Sequence, residues 1–235
     1  MAPADSRNPD SLTLVIANKN YSSWSLRAWL MLKQVGVAFE EIVVPLRQPD
    51  TRARILRHSP SGKAPCLVHG PITVWESLAI GEYLAERFPA SALWPADTAA
   101  RAYARAIANE MHGGFIPLRR SMPMNIRVSL PGYGMAPGVQ DEIDRIAAIW
   151  RDTRDRFGAG GDMLFGKFTI ADAMFAPVAL RFQSYGVELD NTARAYADAL
   201  LAWPAMTEWI AAAKAEPWMI PDYEKGGING PTAPG

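Results

Sequence analysis

Three serines crowd the stretch "NYSSWSLRAWL" (residues 20–30), where a short apolar run hands over to a helical pattern. Ser22, Ser23 and Ser25 stand directly ahead of that apolar helical face. Local physics gives such hydroxyls two uses. A serine at a helix N-cap accepts a hydrogen bond from a backbone N–H that the helix leaves unpaired. The same N-terminus carries partial positive charge and free N–H groups, so it favours an anion. A hydroxyl there donates to a bound thiolate or oxyanion. The capping box is incomplete, because Ser25 and Leu26 stand three residues beyond Ser22 and Ser23 where Glu or Gln would close it. No histidine lies nearby to act as a base, and the G-x-S-x-G elbow is missing, so a serine hydrolase fits poorly.

Two further stretches carry chemistry. In "SPSGKAPCLV" (59–68), Pro65 lacks an N–H and belongs at a strand start or edge. A cis Ala64–Pro65 bond would turn the Ala64 backbone outward, to pair with an extended peptide-like ligand; an ordinary turn proline is the alternative. In "WESLAI" (75–80), Glu76 and Ser77 begin a helix after a strand. They either cap that helix or receive an amino-acid head group. In the second case Glu76 takes the ammonium, and Ser77 with the helix N–H groups takes the carboxylate.

The elements that position these residues follow from patterning. Residues 12–17, 39–46, 64–68 and 72–75 read as strands, and 24–35, 50–58 and 76–88 as helices. After the linker-like "PASALWPADTAA", everything reads as helix: 98–122, 139–157, 171–185, 193–201 and 203–215. The expected division is a flexible tail at 1–11, a mixed α/β domain at 12–89, a linker at 90–97, an all-helical domain at 98–222 and a flexible tail at 223–235. Lys plus Arg equals Asp plus Glu, 24 each, which argues against nucleic-acid or membrane-surface partners. The single cysteine, Cys66, excludes an internal disulfide framework and suits a reducing cytoplasm. His58, His69 and His112 lack metal-ligand spacing, so no metal is expected. No signal-like or membrane-length apolar run is present.

Together and in this order, "SSWSLR", "SPSGKAPCL", "ESLAI" and "GKFTIADAMFAPV" (166–178) resemble the glutathione S-transferase family over roughly residues 12–220. The pattern is most similar to the serine-using zeta group and its bacterial relatives. The resemblance implies a thioredoxin-like N-terminal domain, βαβ-α-ββα with a four-stranded mixed sheet, followed by an all-α helical bundle. Thr169 and Asp172 then form a capping box that starts a buried helix. The resemblance also implies glutathione as co-substrate and no metal. It places Ser22 at the thiol-activating position, with Ser23 as fallback. Trp24, Lys63, Ala64, Pro65, Glu76 and Ser77 become glutathione contacts, and Lys63 with Arg52 could meet the glycine carboxylate. The second substrate, a small and hydrophobic electrophile, is expected against Met111, His112, Phe115 and Arg119. Isomerases of the zeta group carry an arginine about seven residues after the proline of the "IAD…P" helix; that place holds Ser184, with Arg181 off register. A homodimer is the family expectation. A glutathione-dependent isomerase or peroxidase, and a catalytically silent glutathione-binding module, are the alternatives.

Overall fold

The computed structural model describes residues 11–224. Strand β1 (Leu12–Ile16) is central and nearly all buried. It runs parallel to β2 (Glu40–Val43), with Thr13 opposite Glu40. A parallel pair needs a long crossover, and α1 (Ser23–Val35) supplies it. Gly36 closes α1 in the left-handed region at φ 77°, a conformation that costs glycine least. On its other edge β1 pairs antiparallel with β3 (Cys66–His69), which pairs antiparallel with β4 (Ile72–Trp75). The sheet order is β2-β1-β3-β4. Helices α2 (Thr51–Leu56) and α3 (Ser77–Arg87) complete the thioredoxin-like half.

Beyond a short 3-10 turn at Pro89–Ser91 the chain is helical: α4 (Thr98–Gly113), α5 (Ile116–Ser121), α6 (Val139–Phe157), α7 (Ile170–Tyr185), α8 (Asn191–Ala202), α9 (Pro204–Ala215) and α10 (Pro221–Glu224). Among the described residues this half holds no strand, only isolated bridges at Met163–Gly166 and Phe165–Lys167. The expected tails at 1–11 and 223–235 lie almost wholly outside the described residues; Tyr223 and Glu224 are described and belong to α10. No helix among the described residues is long and apolar enough to cross a membrane.

One expected helix, 98–122, is two. Gly114 ends the first, and a Cβ there would meet the Glu110 carbonyl at 2.8 Å. Phe115 then sits at φ 60°, a region that bulky residues avoid, and α5 sets off anew. The hydrophobic pattern runs through the break, although Gly113-Gly114 and Pro117 mark it in the sequence.

Helix α7 is the axle of the molecule. Every residue in it except Gln183 is buried. It packs on α1, α4 and α8, while α1 also meets α3 and α9, so one core runs through both halves. The capping box at its start is present. The Asp172 carboxylate accepts from the Thr169 N–H at 2.8 Å and hydroxyl at 2.9 Å, from the Leu164 N–H at 3.0 Å and from the Tyr196 hydroxyl at 3.1 Å. Phe168, just before the cap, stacks on Trp203 with ring centroids 4.0 Å apart. Full burial raises the Asp172 pKa, and these four donors oppose the shift. Removing the carboxylate would orphan several buried donors at once. Asp172→Ala should therefore lower unfolding free energy by on the order of 3 kcal/mol in chemical denaturation, with Asp172→Asn milder. A loss within the scatter of surface substitutions would show that the box is dispensable.

Candidate functional site

The site grows from the turn where β1 hands over to α1. Ser22 is the N-cap of α1, 6% exposed. Its oxygen accepts the Ser25 N–H at 3.3 Å, and its hydroxyl donates to the Ser25 oxygen at 2.8 Å. Ser25 in turn accepts the Ala17 N–H at 2.9 Å. The proton of Ser22 is thus engaged inside the fold. Ser23, the first helical residue, is half-buried; its oxygen accepts from Arg181 Nη2 at 3.4 Å, and its own proton has no acceptor among the described residues.

The loop ahead of the serines is held from far along the chain. The Glu216 carboxylate accepts the N–H of Lys19 at 2.7 Å and of Asn20 at 3.1 Å. The Asn20 side chain bonds Asn125 and the Ile126 N–H, both at 2.8 Å. The Tyr21 hydroxyl donates to Glu224 and accepts the Ile220 N–H at 3.1 Å. A lone Glu between Ala215 and Pro217 carries no local signal of these long-range anchors.

Trp24, Lys63, Ala64, Pro65 and Glu76 line one cleft of ≈160 Å³, together with Ser61, which was not anticipated. The Ala64–Pro65 bond is cis. Ser61 braces its loop by bonding the Ser59 hydroxyl at 2.9 Å and accepting the Lys63 N–H at 3.2 Å. Arg52 lies against Gly62 of the same loop, where an added Cβ would meet its Nη1 at 2.9 Å. Glu76 is held at φ 69°, a costly conformation for a residue with a Cβ. Ser77, the first residue of α3, is fully buried, its hydroxyl has no partner among the described residues, and it does not line the cleft.

The expected pocket for a second substrate divides. Met111 has no exposed surface and Phe115 only 7%; both belong to the core, as the inward face of α4 and the turn after it require. Neither lines the cleft. His112 and Arg119 stay half-buried at the rim. The His112 ring meets Trp24 edge-on at 5.1 Å, and the Arg119 guanidinium lies 5.0 Å over the same indole. Arg119 also bonds the carbonyls of Met111 and of His112, closing the C-terminus of α4 with a cation. From below, Arg27 stacks 4.5 Å from Trp24. Ser184, where the zeta isomerase arginine would stand, is buried and donates to the Asn125 carbonyl at 3.1 Å.

Residues 21–87 match the glutathione S-transferase N-terminal domain, and residues 119–212 the glutathione S-transferase C-terminal domain. A thioredoxin-like sheet joined to a helical half is the fold those two matches describe. The chain belongs to the glutathione S-transferase family. It is 28% identical over 171 residues to a probable maleylacetoacetate isomerase of Caenorhabditis elegans, covering 71% of this chain and 77% of that one. It is 36% identical over 104 residues to glutathione S-transferase 1 of Dianthus caryophyllus, covering 44% and 46%. Among solved structures, a Burkholderia GL BGR1 glutathione transferase homolog with bound glutathione superposes with a TM-score of 0.67 at 25% identity, over 88% of this chain and 100% of that one. A maleylacetoacetate isomerase from Anaeromyxobacter dehalogenans, with glutathione in its active site, gives 0.62 at 27%, over 88% and 97%.

Two outcomes follow from this geometry. His112 lies 3.8 Å from Glu76, yet burial and then the Arg27 charge push its pKa below the ordinary value, against the pull of Glu76. The shift favours the neutral ring, which makes the pair a weak polar contact. NMR titration should place the His112 midpoint below about 6.5, and Glu76→Gln should lower it further; a midpoint above that value would contradict the assignment. A depressed histidine takes up a proton more readily when unfolded. Its contribution to stability is therefore intact above the ordinary pKa and is lost as pH falls through the folded one. Glu216→Ala should speed amide hydrogen exchange at Lys19 and Asn20 by about tenfold, as two anchored N–H groups are released. Unchanged protection there would mean that other contacts hold the loop.

Proposed function

We propose that this protein is a glutathione transferase that joins the glutathione sulfur to a small electrophile with an apolar body. One observation carries the reading. Trp24, Lys63, Ala64, Pro65 and Glu76, from three separate stretches, converge on a single cleft beside the N-terminus of α1. In this reading the cysteine backbone of glutathione pairs with Ala64. The γ-glutamyl ammonium meets Glu76, and its carboxylate meets Ser77 and the α3 N-terminus. Lys63 and Arg52 meet the glycine carboxylate.

The thiol then lies at α1. A free thiol has a pKa of about 8.5, so most of it is protonated at neutral pH. A hydroxyl donor and the N-terminal field of α1 favour the thiolate. Ser23 is better placed for this than Ser22, because its proton is uncommitted while that of Ser22 is taken by Ser25. The thiol proton passes to solvent and the thiolate sulfur bonds to the electrophilic carbon. The leaving group departs with its bonding pair. In an addition, the displaced π pair takes a proton from water instead. The same reading makes the protein a cytoplasmic homodimer.

A second reading, a glutathione-dependent isomerase, is favoured by the likeness to two maleylacetoacetate isomerases. It differs in one measurable respect, since isomerisation consumes no glutathione. Opposing it, Ser184 stands in place of the isomerase arginine.

The test is turnover of a chloronitrobenzene. Ser23→Ala should cut kcat/KM by roughly 10- to 100-fold with glutathione affinity nearly kept. Ser22→Ala should act mainly on stability, by about 1 kcal/mol, the usual worth of an N-cap. A larger catalytic loss in Ser22→Ala would reverse the assignment. Absence of glutathione binding in the unaltered protein would end the transferase reading.

A further inference from the structure

Residues 122–126 form a strap that follows α5, and Asn125 is its hub, 1% exposed. The Asn125 side-chain oxygen accepts from Asn20 Nδ2 at 2.8 Å and from the Arg127 N–H at 3.1 Å. Its Nδ2 donates to the Tyr223 carbonyl at 3.2 Å and to the Glu224 carboxylate at 3.4 Å. A primary amide offers two N–H donors and an oxygen with two lone pairs, so every bonding position of this side chain is used. Asn20 is fully buried, and its own side-chain oxygen accepts the Ile126 N–H at 2.8 Å. Both ends of the Asn20 amide are therefore held by the strap.

The strap reaches Ser23 by two routes. The first runs along the chain, because the turn from Asn20 to Ser23 is tight. The Ser22 N–H bonds the Asn18 carbonyl at 2.9 Å, and the Ser23 N–H bonds the Tyr21 carbonyl at 3.2 Å. The Tyr21 hydroxyl donates to Glu224, the carboxylate that Asn125 also bonds, so Asn20, Asn125, Glu224 and Tyr21 close a ring. The second route crosses α7. The Asn125 carbonyl accepts the Ser184 hydroxyl at 3.1 Å, and the Met122 carbonyl accepts Arg181 Nε at 2.8 Å. Arg181 Nη2 then donates to the Ser23 oxygen at 3.4 Å. One short strap thus holds both the turn that carries Ser23 and the cation that bonds its oxygen. Truncating the Asn125 amide would leave buried partners on Asn20 and Tyr223 unpaired, and the turn would shift to find others.

We propose that Asn125 is a positioning residue for the thiol site, fixing the start of α1 so that the Ser23 hydroxyl and the helix N–H groups point at the glutathione sulfur. This rests on the transferase reading above and adds to it a residue 105 positions along the chain from the asparagine it holds. Asn125 does not line the cleft of Trp24, Lys63, Ala64, Pro65 and Glu76. It acts through Asn20 and the turn. Its loss disturbs the thiolate while the peptide part of glutathione keeps its contacts.

The test uses the full chain and two probes. Ultraviolet difference titration gives the midpoint of the bound glutathione thiol. Calorimetry with S-methylglutathione gives the affinity for a ligand that has no thiol to ionise. Asn125→Ala should raise the bound-thiol midpoint by at least about 0.5 pH unit, with S-methylglutathione affinity kept within about twofold. Half a unit is about threefold in thiolate fraction, so kcat with a chloronitrobenzene should fall about threefold below the midpoint and recover above it. Asn20→Ala cuts the same contact from the loop side and serves if Asn125→Ala fails to fold. It should give a similar shift, and the double variant should shift little beyond the larger single one. Tyr196→Phe removes a buried bond to Asp172 and should lower thermal stability without moving the midpoint. A midpoint unmoved in both Asn125→Ala and Asn20→Ala overturns the proposal, and a low midpoint in the unaltered protein then leaves the transferase reading standing. An equal shift in Tyr196→Phe also overturns it, because general loosening would then explain the effect. If the unaltered protein binds no glutathione, or binds it with the midpoint of the free thiol, the underlying reading falls and the proposal falls with it.

Discussion

The fold depends on how residues 17–22 are tied down. Each of these six residues is anchored to something outside the sheet. Ala17 donates to Ser25, and Asn18 accepts the Leu46 N–H at 2.7 Å. Lys19 and Asn20 donate to Glu216, and the Lys19 carbonyl accepts the Trp209 indole N–H at 3.0 Å. Tyr21 is clasped by Glu224 and Ile220, and Ser22 by Ser25. A connection between a strand and a helix is ordinarily among the softer parts of a chain. Here it is gripped by α9 and by the segment that follows it. The direction of the α1 N-terminus is therefore set by the helical half as much as by the sheet. Burial raises the Glu216 pKa, yet two backbone N–H groups and the nearby cations Arg127 and Lys19 pull it back. Among the described residues, Glu216 is the acceptor for both N–H groups.

That grip explains why the two halves share one core. Helix α1 packs on α3 on its own side and on α7 and α9 across the divide. Trp29 meets Trp209 at 5.3 Å, and the Lys19 ammonium lies near both rings while paired with Glu41 at 2.7 Å. Such packing fixes the start of α1 against both halves. It also lets the fold carry something unfavourable at its centre. Arg27, Arg119 and Arg181 each bond neutral carbonyls, and a stable scaffold is what allows such cations to persist.

Legibility in the sequence tracked the range of the interactions. The order of strands and helices followed from periodicity, because alternation and helical spacing are local. So did the Thr169–Asp172 box, three residues apart, and the cleft residues of the "SGKAP" and "ESLAI" stretches. Apolar residues continue on both sides of the break at Gly114–Phe115 and outweigh the Gly113-Gly114 and Pro117 signals that mark it. Met111 and Phe115, expected at the pocket from the family resemblance, are core, because which face of α4 turns inward is set by the helices packed on it. Which of Ser22 and Ser23 gives its proton to Ser25 is a matter of side-chain geometry that spacing alone leaves open. Glu216 lies about two hundred residues from the backbone it holds, and Arg181 lies 158 residues from Ser23. No short-range pattern announces such pairs. Arg181 bonds the Met122 and Pro177 carbonyls and Ser23, contacts that no local spacing shows.

The central claim is that this N-terminus of α1 steadies a thiolate. Ultraviolet difference titration of glutathione bound to the unaltered protein measures it directly, because the thiolate absorbs where the thiol does not. The account predicts binding, with a bound-thiol midpoint at least one pH unit below the free value of about 8.5. A midpoint at or above the free value, with glutathione demonstrably bound, would contradict it.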